Sequence, residues 1–170
     1  MSFTCISLKF IECLEIKNYK YNGWCDLEAH LSHDDYQRHF FEILPSTSKK
    51  IIAIRHPSTS IGQSFHETFF FCKKICGKMV LPASQKESDE LSTISKKYLM
   101  HFWIRFSDAD KEGQWRDFGN NSVVNFTNWE IKQPASEAHD FAYMNHYHDG
   151  KLSSSYKSNQ YISAIVCELS

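Results

Sequence analysis

The 170-residue chain has room for one ordinary domain, or one domain with a small extension. Hydrophobic residues make up 42% and aromatics 15%, which supports a packed core and excludes a disordered chain. A formal charge of −1, with no Lys/Arg-rich tract, excludes strong electrostatic capture by nucleic acid or an anionic membrane, and no apolar run approaches the ~20 residues of a membrane span.

The opening MSFTCISLKFIECLEI resembles a weak signal sequence, but Lys9 and Glu12 interrupt its apolar run. It is read as part of the folded protein, or as an end appended to it. LEAHLSHDDYQRHFFEIL carries Leu27, Leu31, Tyr36, Phe40 and Leu44 in a helix-like but imperfect spacing. At 45–50, Pro-Ser-Thr-Ser-Lys-Lys places turn formers and charges between two apolar regions. This divides a cysteine-containing extension, residues 1–48, from a domain at 49–170. KKIIAIRHP then reads as a strand closed by Pro57. In SFHETFFFCKKIC, residues 64–76, Phe65, Phe69, Cys72 and Cys76 share one helical face, with Gly77 a fitting stop. Ser84 and Glu87 have capping-box spacing at the head of a second helix, whose apolar face is Leu91, Ile94 and Tyr98. FWIRF (102–106), VVNFTNW (123–129), FAYM (141–144) and YISAIVCEL (161–169) are strand candidates separated by Asp, Gly, Asn and Ser turns. Helices followed by strands argue for an α+β domain with an antiparallel sheet. The stretch 107–160 should be largely irregular, and long structured loops are where function usually resides.

Six cysteines, at 5, 13, 25, 72, 76 and 167, suit a disulfide framework in an oxidising compartment. The sequons Asn120-Asn121-Ser122 and Asn125-Phe126-Thr127 are compatible with secretion and with glycosylation at Asn120 and Asn125. The opposing reading is a cytosolic protein with six thiols and two chance triplets.

Several pieces come in a telling order: Cys72 before Gly77 and Leu81-Pro82-Ala83; Glu87 and Glu90-Leu91; Phe102 to Phe106 followed by Ser107-Asp108; Glu112-Gly113-Gln114-Trp115; Phe126-Thr127-Asn128-Trp129; Pro134, Asp140, Ala142, Met144 and Gly150; and Val166-Cys167-Glu168 at the end. Over roughly residues 49–168 this series resembles a C-type lectin-like domain. The resemblance implies two helices packed on antiparallel sheets with a long irregular loop region. It also implies a Cys72–Cys167 disulfide, which over a loop near 95 residues contributes on the order of 4–5 kcal/mol in the chain-entropy model. Trp103, Trp115 and Trp129 then read as core anchors. The family's second disulfide is missing at both ends, with Phe141 at one position and Tyr156-Lys157 near the other. Cys76 is expected to bond one of the cysteines in residues 1–48.

In sugar-binding members of the family, a Glu-Pro-Asn or Gln-Pro-Asp triplet, a nearby Glu and a Trp-Asn-Asp triplet coordinate calcium, and sugar hydroxyls join the same ion. The corresponding residues here are Gln133-Pro134-Ala135, His139 and Leu152-Ser153-Ser154. Calcium needs six to eight oxygens, mostly charged, and imidazole is a poor donor for a hard ion. The sugar-type calcium site is therefore expected to be absent. Asp108, Glu112 and Asp140 match a second, structural calcium position. There, weak calcium binding stands beside the plainer reading in which Asp108 caps a turn and Glu112 is solvated. Glu87 and Glu168 read as surface charge. The pair His146 and His148, and likewise His30 and His33, raise zinc, but NHYHDG reads more simply as a polar turn with Asp149-Gly150 as its hairpin signal.

The expected function is an extracellular, non-enzymatic recognition module for a protein or other surface ligand, requiring no cofactor. Residues 107–122 and 130–160 form its ligand face, with Tyr143, Tyr147 and Tyr156 as amphipathic anchors. The alternative is a carbohydrate binder using hydrogen bonds and stacking, with Asn128, Gln133, His139, Ser153 and Ser154 as polar contacts, or atypical calcium-dependent sugar binding. A zinc hydrolase lacks any nucleophile–base spacing.

Overall fold

The computed structural model describes residues 38–55, 63–157 and 162–169. Cys5, Cys13, Cys25, His30, His33 and Pro57, and the expectations attached to them, lie outside these residues. Eight strands and two helices are described: β1 (Arg38–Ile43), β2 (Lys50–Arg55), α1 (Phe65–Lys74), β3 (Gly77–Met79), α2 (Gln85–Tyr98), β4 (Phe102–Ser107), β5 (Arg116–Asp117), β6 (Phe141–Met144), β7 (Leu152–Ser155) and β8 (Ala164–Leu169). The strands form one sheet in the order β1-β2-β8-β4-β6-β7, with β3 paired to β8 and β5 to β4. Pairing is antiparallel except between β4 and β8, where Phe102 registers in parallel with Ala164. This is the expected α+β fold.

Alternate residues of the central strands serve two cores. Ile51, Ala53, Phe102, Ile104, Phe106 and Val166 pack with Leu91 and Ile94 of α2. Ile52, Ile54, Trp103, Ile165 and Cys167 pack with Phe65, Phe69 and Cys72 of α1. A helix on each face explains why these strands read as continuous apolar runs. Cys72 and Cys167 form the expected disulfide, with Cα atoms 5.5 Å apart across 95 residues. Cys76 is also disulfide-bonded, and the cysteines expected as its partner lie outside the described residues. Trp103 is fully buried, whereas Trp115 and Trp129 are half-buried against the α2-side core.

The helix signals resolve in detail. Ser64 and Glu67 close a full capping box on α1. At α2, Ser84 Oγ accepts from Glu87 N at 3.3 Å, but the Glu87 carboxylate accepts from Ala83 N at 2.8 Å instead of returning to Ser84. α1 ends at Lys74, short of Gly77, and Cys76 takes the left-handed conformation at φ 53°. Gly77 is needed for a close approach, because a Cβ there would lie 2.7 Å from Glu168 O.

Two expectations are corrected. Residues 38–43, read as the end of a helix-like segment, form edge strand β1, because Phe40 and Phe41 find partners Ala53 and Ile52 on β2. Residues 123–129 form no strand, only isolated bridges of Val123 with Arg116 and Trp129 with Leu152. Val124 and Trp129 reach the core from a loop, whereas Val123 is exposed: Trp129 stacks edge-on to Trp115 at 4.7 Å and to Phe106 at 5.5 Å.

Candidate functional site

The loop 130–140 is anchored where it leaves the core. Leu152 N donates to Asn128 O at 2.8 Å and Glu130 N to Leu152 O at 2.9 Å, so the loop hangs from the first residue of β7. Asn128 is buried and its amide is spent: Nδ2 donates to Ser88 Oγ at 3.3 Å and Oδ1 accepts from Lys151 Nζ at 2.5 Å. The Gln133–Pro134 peptide is cis.

Gln133 and Ser154 meet at the centre of the loop face. Gln133 Oε1 accepts from both the backbone N–H and the hydroxyl of Ser154, each at 2.9 Å. Ser154 Oγ in turn accepts from Ala135 N at 3.0 Å. Gln133, Ala135 and Ser154, three of the residues expected to correspond to the family's sugar-type calcium ligands, are therefore joined in a closed, neutral network. Ser153, on the other face of β7, is buried opposite Tyr143 in the strand register. His139 packs edge-on to Tyr156 at 4.6 Å. Tyr156 is 57% exposed, so this pair presents an aromatic surface beside the end of β7. Tyr147 is 77% exposed but belongs elsewhere, in the β6–β7 turn beyond Met144.

A second group gathers at the end of β4. Asp108 is 3% exposed, its Oδ2 accepts from Gly113 N at 3.0 Å, and its backbone N–H donates to Asp140 O at 3.2 Å. Its Oδ1 is buried without a hydrogen-bond partner. Burial, together with the charge of Asp140, pushes the Asp108 pKa up. Glu112 is also raised, by desolvation and by Asp108, Glu137 and Asp140. Asp108 thus caps a turn while standing among like charges. As placed, no three His, Cys, Asp or Glu side chains among the described residues close around a point that would hold a metal ion. The two expected calcium positions differ in donor chemistry. Carboxylates with one orphaned buried oxygen fit a hard cation at Asp108, whereas an amide, a methyl, a hydroxyl and an imidazole do not fit one at Gln133.

Glu87 and Glu168 read as surface charge, but the structure differs. The Glu87 side chain is only 2% exposed and pairs with Lys49 Nζ, which also lies 3.4 Å from Glu168 Oε2. Burial opposes the Lys49 charge, yet the two carboxylates outweigh it and raise its pKa. A built-in ammonium thus occupies the space between the two acids. Sequence reasoning missed it because Lys49 lies far from both in the chain.

The histidines of the β6–β7 turn diverge. The His146 ring lies 4.1 Å from that of His101, whereas His148 Nδ1 faces Glu130 at 3.5 Å. His101 Nδ1 accepts from His146 N at 3.4 Å. Burial first, then the charges of His146 and His148, lowers the His101 pKa to about 4.

An α+β sheet with a helix on each face, a helix-to-last-strand disulfide and a long loop hung from a short strand define a class of binding modules. The model of the lectin C-type domain matches residues 61–169, and the chain belongs to that family. Domains of this family are generally binding modules and not enzymes. The chain is similar to a perlucin-like protein of Mytilus galloprovincialis, 28% identical over 76 residues, which are 43% of this chain and 49% of that protein. The match thus spans about half the length of that curated relative. The fold is shared with the cow C-type carbohydrate-recognition domain of CD23 in the presence of a GlcNAc2Man3 oligosaccharide, at 20% identity and TM-score 0.57, covering 71% of this chain and 86% of that one. It is shared also with the mouse scavenger receptor C-type lectin carbohydrate-recognition domain, at 19% identity and TM-score 0.57, covering 69% and 87%.

Proposed function

We propose that this lectin-type domain is an extracellular recognition module that engages a protein or other surface ligand through its loop face, without calcium coordination of a sugar. The observation that supports this most is the Gln133–Ser154–Ala135 network, which uses the position's polar groups on one another. A divalent ion there would have to displace these bonds and gain no carboxylate in return. The accessible anchors are Tyr156, with His139, and Tyr147, aromatic residues of the type enriched at interfaces. We assign residues 49–170 to the recognition domain and residues 1–48 to an extension whose end supplies strand β1 and the core residue Leu44, and we place the chain in the secretory pathway, with Asn120 and Asn125 as glycan acceptors; both asparagines are exposed.

At the structural position, Asp108, Glu112 and Asp140 would hold calcium weakly, and the ion would neutralise mutually repelling carboxylates at the base of the long loop. It is not required for the fold. The second functional reading is metal-independent sugar binding, favoured by the exposed Tyr156 ring, which packs edge-on to the half-buried His139. A glycan array with and without chelator separates the two. Saturable, chelator-insensitive binding that falls on Tyr156→Ala supports the sugar reading; no glycan binding supports a protein ligand; binding abolished by chelator overturns both.

A further inference from the structure

We propose that a crevice between the end of β4 and the turn after β5 is a metal-independent site for one acidic sugar unit, a hexuronate or a sialate. It shares no lining residue with Gln133 and Ser154 and does not rest on the reading above. Its volume is about 190 Å³, below the ~300–1,000 Å³ of sites for drug-sized ligands, and so suits a single ring. Ser107, Asp110, Gln114, Arg116, Asp117, Phe118 and Asn121 line it.

Arg116 decides the chemistry. It stands opposite Ser107 in the β4–β5 register. The adjacent Asp117 is committed elsewhere: its carboxylate takes Arg105 Nε at 2.8 Å, Arg105 Nη2 at 2.9 Å and Gly119 N at 2.8 Å. Arg116 Nη1 donates to Asn121 O at 3.0 Å, which orients the guanidinium without neutralising it. Among the described residues Arg116 makes no ion pair. The turn that holds it is firmly tied, with Asp117 N donating to Ser122 O and Asn121 N to Asp117 O, both at 2.8 Å. A half-buried, oriented guanidinium with free N–H groups matches a carboxylate in fork geometry.

The other walls suit the rest of a sugar. Phe118 is 37% exposed, and its ring is fixed edge-on against Phe65 and Phe69, each at 5.0 Å. It offers a rigid apolar surface to the C–H face of a pyranose. The exposed Gln114 amide supplies hydrogen-bond partners for ring hydroxyls, while the Ser107 Oγ already accepts from Ala109 N at 3.1 Å and is left only its O–H to donate. Asp110 accepts from hydroxyls but repels a second anionic group. A ligand with one carboxylate and several hydroxyls therefore fits better than sulfate.

The test is an amide-resonance titration of the full chain in chelator with glucuronate, N-acetylneuraminate, glucose and sulfate. Saturable shifts confined to residues 107–121 are expected with one or both sugar acids. Affinity should fall roughly tenfold or more in Arg116→Gln, the loss expected for a hydrogen-bonded charge, and less in Arg116→Lys. The proposal is overturned if neither acid gives saturable shifts, if glucose or sulfate shifts these residues equally, or if a folded Arg116→Gln chain binds as well as the parent. Should that variant not fold, the comparison of the four probes on the unaltered chain decides alone.

Discussion

Gln133 Oε1 accepts two hydrogen bonds from one residue, Ser154, through its backbone N–H and its hydroxyl at 2.9 Å each. With Ala135 N on the same hydroxyl, a short strand and a loop remote in sequence are held together by neutral groups. Removing the hydroxyl in Ser154→Ala deletes one donor and one acceptor. At about 1 kcal/mol per bond, the loss should be roughly 1–2 kcal/mol in urea denaturation, with the backbone bond to Gln133 retained.

Lys49 is the charge partner of a nearly fully buried Glu87. Lys49→Met leaves that carboxylate unpaired and should cost on the order of 3 kcal/mol. Lys49→Met combined with Glu87→Leu should recover part of the loss, because no buried charge then remains, while the Ala83 N–H loses its acceptor. A double-mutant cycle by denaturant unfolding measures the coupling.

The His101 imidazole is 8% exposed, accepts from His146 N, and is faced by His146, Tyr147 and Tyr143. Its folded pKa of about 4 lies below its ordinary 6.5. The unfolded chain therefore binds the proton first as pH falls through 6.5, and stability declines until pH 4, where the folded state is protonated too. The contribution lost is on the order of 3 kcal/mol. Asp108 and Glu112, with raised pKa values, act in the opposite direction over part of this range. The informative quantity is thus the difference between the parent and His101→Gln in melting temperature from pH 7 to 4, which should shrink as pH falls.

Calcium at the Asp108 group should stabilise the fold modestly. With a dissociation constant of about 1 mM, typical of extracellular modules, about 10 mM calcium contributes about 1.4 kcal/mol. The melting temperature should rise by roughly 3–5 °C. Asp108→Asn should abolish the rise, and magnesium should not reproduce it.

Much of this fold was legible because local signals agreed. Ser64 and Glu67 cap a helix whose Phe65, Phe69 and Cys72 share one face, and β2, β4, β6 and β8 are built from β-branched and aromatic runs. The Cys72–Cys167 link followed from the family pattern. What was illegible depended on partners. Leu152-Ser153-Ser154-Ser155 has little strand propensity, yet it forms β7 because β6 supplies its ladder and buries it. Val123 to Trp129 has high propensity but meets β5 and β7 only at single bridges, so Val124 and Trp129 report packing on the core, not a strand. Phe40 and Leu44 sat in a helix-like spacing, yet Phe40 pairs with Ala53 of β2 in a strand. Lys49, Lys151 and His101 acquire their roles only through neighbours distant in the chain.

The most direct measurement follows the Ser154 amide and the Gln133 side-chain amide resonances during titration with millimolar calcium, then with mannose or galactose. If the neutral network occupies this position, neither resonance moves saturably with ion, sugar or both. Saturable shifts of both that require calcium and saccharide together, and that chelator reverses, would contradict the account.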